Sequence, residues 1–277
     1  MARQPATSER ESAAASVSPL LDVRDVTMRY SQGRHQTLTA LDGLTLHVER
    51  GEFVALVGPS GCGKSTLLSI VAGLETPTSG SVALDGNSSR SRLGRVGYMP
   101  QRDLLLPWRR ALDNAAAGLE VKGASRGEAR ERARSLFVEF GLAGFERSYP
   151  PALSGGMRQR VSFARTVLAG GDLLLLDEPF GALDALTRAD LRNWLLGVWE
   201  RLGATCLLVT HDVEEALLLA DRVYLLSPRP GRVRLERRVP LPRPRRAEML
   251  AEPELVALKA ELLAALMVRP VDQGAAR

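Results

Sequence analysis

The segment from Gly58 to Ser65 constrains this chain more than any other feature. It reads Gly-Pro-Ser-Gly-Cys-Gly-Lys-Ser and matches the pattern G-x-x-x-x-G-K-[ST]. An apolar run at 53–57 precedes it, and a helical pattern follows to about residue 71. A glycine-rich loop between a buried strand and a helix lets backbone N–H groups converge on phosphate oxygens. The sequence therefore predicts a strand–loop–helix unit that binds a phosphate-bearing ligand.

A pair of carboxylates is positioned to complete such a site. The leucines at 173–176 predict a strand buried on both faces, and Asp177 and Glu178 follow it directly. Ligands of open α/β sheets bind at the carboxyl ends of the strands, so both carboxylates are expected near the phosphate loop. Lys64 is expected to reach the β- and γ-phosphates of a nucleotide. Ser65 and Asp177 are the expected Mg²⁺ ligands, and Glu178 is expected to polarise the attacking water.

The rest of the pattern alternates strands with helices and predicts an α/β fold with a mainly parallel core sheet. Strands are expected at 21–30, 38–48, 53–57, 95–99, 173–176, 205–210 and 223–226, the first two forming an antiparallel sheet around Gly33. Helical patterns cover 63–71, 111–142 and a segment opened by Ser154. A further stripe, which we interpret as core packing, consists of Leu191, Trp194, Leu195, Val198, Trp199 and Leu202.

Charge and composition exclude several other classes of protein. The net charge is +5, but 11 basic and 6 acidic residues lie from position 228 onward, which leaves 26 of each before it. A duplex-binding protein carries its basic surface on the folded domain, so no nucleic acid partner is expected. No run approaches the ~18 apolar residues of a membrane helix. The only cysteines, Cys62 and Cys206, indicate neither a disulfide framework nor a metal cluster.

The sequence Leu-Ser-Gly-Gly-Met-Arg-Gln-Arg at 153–160, between the two parts of the expected site, resembles the signature of the ATP-binding subunits of ABC transporters. The resemblance covers about residues 21–227 and implies an ABC cassette with an antiparallel β subdomain and an inserted helical subdomain. One departure is Met157, where many relatives have Gln. Since the phosphate contacts of the family come chiefly from the Ser and Gly positions, we expect little loss of function.

The resemblance also assigns roles to individual residues. It implies ATP and Mg²⁺ contacts from the phosphate loop, which comprises Gly58, Pro59, Ser60, Gly61, Cys62, Gly63, Lys64, Ser65 and Thr66. Tyr30 resembles the aromatic residue that stacks on adenine, although an ordinary strand tyrosine fits the residue pattern as well. Gln101 resembles the glutamine that contacts Mg²⁺ and senses the γ-phosphate, and His211 resembles the switch histidine. Asp184 ends a segment that resembles the family's D-loop.

The signature implies a site shared between two chains. Ser154 can cap a helix, while Gly155 and Gly156 leave its N–H groups open to an anion. In the family, that anion is the γ-phosphate held by the opposite subunit, so ATP joins a head-to-tail dimer and hydrolysis lets it open. The resemblance therefore implies a homodimer that works with separate permease subunits and a solute-binding protein, bound peripherally to the cytoplasmic face of the inner membrane.

The segment at 101–108, Gln-Arg-Asp-Leu-Leu-Leu-Pro-Trp, lies where the family engages its permease. Leu105, Leu106 and Trp108 are expected to form an exposed apolar patch there, with local packing of the helical subdomain as the alternative. Together with the signature, this segment looks most like the importers for nitrate, sulfonate, taurine and pyrimidine precursors of thiamine. The subunit does not touch the solute, so its sequence does not identify that solute.

We divide the chain into three parts. A disordered leader is expected at 1–19, because this segment is rich in Ala, Ser, Arg and Glu and lacks the apolar core of a secretory signal. The ATPase domain spans 20–239, with the helical subdomain at about 102–165. An Arg/Pro linker and a C-terminal amphipathic helix occupy 240–277, and the charge excess of this tail favours either anionic lipid or simple solubility.

Two other classes of function share part of this pattern. A P-loop kinase or GTPase would have Lys64 and Ser65 but not the signature at Ser154, and no Asn-Lys-x-Asp guanine motif is present. A non-transport ABC ATPase of the translation or DNA-repair type usually carries two cassettes or a long coiled-coil insertion. Neither feature occurs here.

Overall fold

Strands and helices alternate along the chain, as the sequence predicts. The structure is a computed structural model that describes residues 18–33, 36–89, 91–181 and 183–267. The strands are β1 (Leu21–Gln32), β2 (Gln36–Val48), β3 (Phe53–Val57), β4 (Ser79–Leu84), β5 (Gly97–Met99), β6 (Leu173–Asp177), β7 (Thr205–Thr210), β8 (Arg222–Leu226) and β9 (Val233–Arg238). The helices are α1 (Lys64–Ala72), α2 (Ala111–Val121), α3 (Arg126–Glu139), α4 (Gly155–Ala169), α5 (Ala185–Leu202), α6 (Val213–Leu219) and α7 (Pro253–Met267).

The main sheet has the strand order β5-β6-β7-β3-β8-β9 and is parallel except at the β8–β9 pair. Strands β3, β6, β7 and β8 are buried at every position, because helices and the second sheet cover both faces. The adjacent parallel strands β5, β6, β7 and β3 all end at the same edge of the sheet. The four loops that leave this edge therefore lie side by side.

A second, antiparallel sheet has the order β2-β1-β4. Its apolar face packs with α1 and one face of the main sheet in a shared core that includes Val23, Leu46, Leu56 and Leu67. The expected antiparallel sheet is thus confirmed, but β4 was not predicted. Its first three residues, Ser79 to Ser81, are exposed, so the strand lacks the alternation that marks β1 and β2.

The helical stretch expected at 111–142 is two helices, α2 and α3. Gly123 between them has φ 93°, a left-handed conformation that favours glycine and ends the first helix. Ser125 then starts the second one, since its side chain accepts the N–H of Glu128 while the Glu128 carboxylate accepts from Ser125. The prediction of a single helix is wrong because these stop and start signals outweigh the helical propensity of the residues on either side.

The stripe on α5 is core packing, as predicted. Leu191, Leu195, Val198 and Trp199 are buried, and Trp194 is partly buried against the same core. The helical spacing of the apolar residues predicts burial correctly here because one face of α5 packs on the sheet along its whole length.

Two of the arginines that follow β8, Arg243 and Arg245, pack against the body of the protein. Arg245 is 4% exposed and donates to backbone carbonyls at the C-terminal end of α6. The Arg243 guanidinium carbon lies 4.0 Å from the centroid of the Trp199 ring. Helix α7, which the sequence predicted, buries Leu255 and Leu262. Arg243 and Arg245 therefore depart from the solvated or lipid-binding charge expected for this segment, whereas other arginines in it are exposed to solvent, as expected. The leader lies outside them, except for residues 18 and 19.

Candidate nucleotide-binding site

The loop between β3 and α1 has the backbone shape that its glycines allow. Gly61 and Gly63 have φ of 75° and 106°. A Cβ atom at Gly63 would lie 2.6 Å from Leu41 Cδ2 and 2.8 Å from the carbonyl oxygen of Ala40, so no larger residue fits there. No side chain caps the N-terminus of α1, which leaves its first N–H groups open to an anion.

Lys64 is a buried cation at this loop. Its ammonium group donates to the carbonyl oxygens of Gly58 and Pro59, at 2.8 and 3.0 Å, and lies 3.8 Å from Glu178 Oε1. Neutral carbonyls supply most of its contacts within the protein. An incoming phosphate would therefore be a stronger partner for this ammonium than the groups that hold it now.

Ser65 and Asp177, which the sequence predicts to be Mg²⁺ ligands, lie in direct contact. The Ser65 hydroxyl donates to Asp177 Oδ1 at 3.1 Å. Burial raises the pKa of Asp177, and this hydrogen bond opposes the rise. Among the described residues, no group of three or more His, Cys, Asp or Glu side chains could hold a metal. Such a pair suits Mg²⁺, which takes one or two protein ligands and completes its shell with water and substrate phosphates.

Three side chains converge on Glu178 from three loops. Gln101 donates through Nε2 to Glu178 Oε2 at 3.2 Å, and His211 Nδ1 lies 3.2 Å from the same oxygen. Lys64 faces the other carboxylate oxygen. Glu178 itself has φ 43°, a conformation uncommon for a residue with a side chain. A strained residue at a cluster of polar groups is a common feature of functional sites.

Lys64, Ser65, Gln101 and Glu178 line one cleft of about 330 Å³, whereas Asp177 and His211 are not among its lining residues. Its lining consists of Tyr30, Leu38, Ala40, Ser60, Gly61, Gly63, Lys64, Ser65, Thr66, Gln101, Glu178 and Arg229. The Tyr30 hydroxyl donates to Glu75, which holds the ring at the rim. Leu38, Ala40 and Arg229 were not predicted. The first two lie in an ordinary strand pattern, and Arg229 lies in a segment whose composition suggested a solvated tail.

Other predicted residues contribute to the loop or lie elsewhere. Gly58, Pro59 and Cys62 shape the phosphate loop without lining the cleft, and Cys62 is buried. Ser154 is exposed and caps α4 by accepting the N–H of Met157 at 3.2 Å. Asp184 is exposed and caps α5 by accepting the N–H of Thr187, which lowers the pKa of Asp184.

The signature and the D-loop form a second surface, apart from the cleft. A Cβ atom at Gly155 would lie 3.1 Å from Leu183 Cδ2, and one at Gly156 would lie 3.1 Å from Thr187 Cγ2. The two loops are therefore in close contact. Ala182, which the D-loop resemblance also includes, lies outside the described residues.

The fold and this cleft define a P-loop nucleoside triphosphatase. The pattern of the ABC transporter family matches residues 41–181. The chain belongs to that family and is one of its ATP-binding subunits, a class of proteins that hydrolyse ATP. The predicted family and fold are thereby confirmed.

The chain is similar to subunits of several importers. It is 39% identical over 259 residues to the nitrate import ATP-binding protein NrtD of Synechocystis sp., an alignment that covers 91% of this chain and 97% of NrtD. It is 48% identical over 244 residues to the aliphatic sulfonates import ATP-binding protein SsuB of Cupriavidus necator, covering 86% and 76%. Taurine and formylaminopyrimidine import proteins are among the other matches. The predicted subgroup is confirmed.

A solved structure shares the fold. It is the dimeric post-hydrolysis state of the ATP-binding cassette MJ0796 bound to ADP and Pi. The TM-score is 0.69 and the sequence identity is 32%, over 79% of this chain and 98% of that chain.

Proposed function

We propose that this chain hydrolyses Mg-ATP in order to drive solute import through separate membrane permease subunits. The observation that carries the proposal is the convergence of Gln101, His211 and Lys64 on Glu178, within 3.8 Å, at the edge of the phosphate-loop cleft. Three polar groups from separate loops contact this carboxylate, so a ligand that binds those groups instead would break the contacts and let the loops move. That property suits a site that couples ATP binding to movement.

Each group at the cleft has a chemical role in this proposal. Glu178 accepts a proton from the attacking water, and His211 and Gln101 contact the γ-phosphate and orient that water. Lys64 leaves the Gly58 and Pro59 carbonyls for the β- and γ-phosphate oxygens, where its charge is better matched. Ser65, Asp177 and Gln101 would hold Mg²⁺, which neutralises charge on those oxygens.

Adenine binding is the role proposed for Tyr30. Its ring lies at the rim of the cleft and is fixed by the Glu75 contact, so a base can stack on it without further ordering. Leu38 and Ala40, which line the same cleft, supply apolar surface beside it.

The exposed signature supports a head-to-tail homodimer. Ser154 lies outside the cleft of its own chain, and the α4 N-terminus that it caps can accept an anion from another molecule. In this arrangement, Ser154, Gly155 and Gly156 of one copy contact the γ-phosphate held by the other, beside Asp184. The dimeric state of the MJ0796 cassette supports this arrangement.

The groove beside Gln101 is the proposed contact with the permease. It measures about 510 Å³ and is lined by Gln101, Arg102, Asp103, Leu104, Leu105, Gln159 and Gly181. Trp108 is 72% exposed and Leu104 is 55% exposed, which argues against local packing as the role of this segment. Leu105, expected to be exposed, is buried in the helical core instead. We place the assembly on the cytoplasmic face of the inner membrane, with a solute-binding protein on the other side.

The Glu178→Gln variant tests the chemistry. Gln keeps the shape and the contacts to Lys64 and His211 but cannot accept a proton, so hydrolysis should fall by about 10²–10⁴-fold while ATP still binds. ATP-dependent dimers should then accumulate and be visible by light scattering. Asp172→Asn, at an exposed carboxylate before β6, is the control and should hydrolyse ATP normally.

Two outcomes would contradict the proposal. Near-normal turnover of Glu178→Gln would remove Glu178 from the role of base. A strictly monomeric protein at saturating Mg-ATP, with the permease supplied, would exclude the shared site.

A further inference from the structure

Arg229 brings a second cation to the nucleotide cleft. It lies in the loop between β8 and β9, at 227–232, and lines the cleft together with Lys64 and Tyr30. Its guanidinium group is beside the phosphate loop, because a Cβ atom at Gly61 would lie 3.9 Å from Arg229 Nη2. The phosphate-loop pattern and the signature do not include this position.

The backbone of this loop is tied to the cleft wall. The N–H of Gly231 donates to the carbonyl oxygen of Ala40 at 2.9 Å, and the N–H of Asp42 donates to the carbonyl oxygen of Gly231 at 3.1 Å. A Cβ atom at Gly231 would lie 2.2 Å from the carbonyl oxygen of Cys62, so only glycine allows this approach. The segment that carries Arg229 is thus packed directly on β2 and on the phosphate loop.

Two other arginines of the same hairpin have acidic partners. Arg232 donates to Asp42 through Nε at 3.0 Å, and Arg237 donates to Glu261 through Nε at 3.0 Å. Within the described part of the chain, Arg229 makes no hydrogen bond or ion pair. Glu178, the carboxylate in the cleft lining, is already contacted by Gln101, His211 and Lys64. An anion in the cleft would therefore be the partner of Arg229.

We propose that Arg229 is a nucleotide-binding residue whose guanidinium group binds phosphate oxygens of the bound nucleotide on the Gly61 side of the phosphate loop. Arg is suited to this contact because its planar fork matches phosphate oxygens and its charge is permanent. The inference deepens the ATP-binding site described above and rests on it. It also makes the β8–β9 loop a wall of that site.

Direct titration of the full-length protein tests the assignment. The dissociation constants of ATP and ADP are measured calorimetrically for the wild type, Arg229→Gln and Arg229→Lys. Because Arg229→Gln loses one solvent-accessible charged contact, the dissociation constants of ATP and ADP should rise by about tenfold in this variant. The rise should be smaller in Arg229→Lys. Arg238→Gln is the matched control. That exposed arginine pairs in register with Arg222, at the opposite end of the hairpin from the cleft. The Arg238→Gln variant should therefore bind both nucleotides with wild-type affinity.

A competition experiment separates phosphate binding from stacking on the base. Inorganic tripolyphosphate displaces a fluorescent ADP analogue, and its inhibition constant is compared between the wild type and Arg229→Gln. If Arg229 contacts phosphate, the Arg229→Gln substitution should weaken tripolyphosphate binding by the same factor as ATP binding. An unchanged constant for tripolyphosphate, with weaker ATP binding, would overturn the phosphate assignment.

The design also distinguishes this inference from the proposed function. Normal ATP affinity in Arg229→Gln, with loss of binding in Lys64→Ala, would refute the inference and leave the ATP site intact. A wild-type protein that does not bind ATP would refute the proposed function itself. Circular dichroism shows whether Arg229→Gln is folded. If it is not, Arg229→Lys decides the question. Wild-type affinity of the folded Arg229→Lys variant for every ligand would contradict the fork geometry.

Discussion

Glu215 shows how a buried charge is held near the cleft. It is 4% exposed and lies at the start of α6, just after His211 in the chain. The Thr210 hydroxyl donates to Glu215 Oε2 at 2.6 Å. Burial raises the pKa of Glu215, and this hydrogen bond opposes the rise. Because the folded protein holds the proton more tightly than the unfolded chain, ionised Glu215 lowers stability at neutral pH.

The Glu215→Gln variant should therefore be more stable than the wild type at pH 8. Gln keeps an acceptor for Thr210 and removes the buried charge, and each kcal/mol gained raises the Tm by about 2–4 °C. Thermal unfolding from pH 8 to pH 4 measures the effect. The advantage should shrink as the pH falls through the raised pKa, because the wild-type carboxyl becomes neutral as well.

Glu214→Gln is the control for this prediction. Glu214 is adjacent, but its side chain is 44% exposed and forms an ion pair with Lys259, so its removal should change the Tm little. A Glu215→Gln variant that is less stable at pH 8 would mean that the carboxylate is essential to the local structure.

At the scale of secondary-structure elements, the C-terminal segment holds α6 in place. Arg245 lies against the C-terminal end of that helix, where the helix dipole presents negative partial charge. Burial and the neighbouring Arg243 lower the pKa of Arg245 to about 10, while Asp221 opposes the shift. The other end of the same helix follows His211 directly. The segment expected to be a solvated linker is therefore a support for the loop that carries His211.

Replacement of Arg245 by Ala should destabilise the protein. It leaves buried carbonyls at the end of α6 without a donor, at a cost of about 1–3 kcal/mol. Urea unfolding measures the loss, and Arg246→Ala, at an exposed neighbour, should have no comparable effect. Deletion of 241–277 should be more damaging still, because it also removes Leu255 and Leu262 from the core. Wild-type stability of Arg245→Ala would show that water replaces the guanidinium group without cost.

At the scale of the whole molecule, the main sheet collects its loops along one edge. The carboxyl ends of β3, β5, β6 and β7 lead to Lys64, Gln101, Glu178 and His211, respectively. Gln101 belongs both to the nucleotide cleft and to the groove that Leu104 and Leu105 also line. A nucleotide that draws Gln101 from Glu178 would thus move the segment that borders the proposed permease contact.

Trp108→Ala should uncouple this contact without harming the ATPase site. Truncation of an aromatic anchor at an interface commonly reduces the binding free energy by about 2 kcal/mol or more. We expect weaker assembly with the permease subunits, or lost uptake in proteoliposomes, and a normal ATP dissociation constant in the same preparation. Val138→Ala, at another exposed apolar residue, is the control and should transport normally. Normal assembly and uptake in Trp108→Ala would show that the contact lies elsewhere.

The sequence by itself determined the elements whose signals are local. Strand β3 begins and ends where its apolar run does, because burial on both faces leaves no polar position inside it. Strand β7 has the predicted bounds, 205–210, because its four central residues are apolar. The phosphate loop could be located because its glycines and Lys64 act within a few residues of one another. Gln101 and His211 were identified only through resemblance to a family, because neither has a local pattern of its own.

Only the tertiary structure decided which distant residues meet. Gln101 and Glu178 are 77 positions apart, and the strand order of the main sheet brings them together. The arginines after β8 have similar composition around them, yet Arg229 faces the cleft, Arg245 is buried and Arg238 is exposed. Their environments differ because the partner of a long charged side chain is set by whatever surface the chain returns to, and that surface is built from segments far away in the sequence.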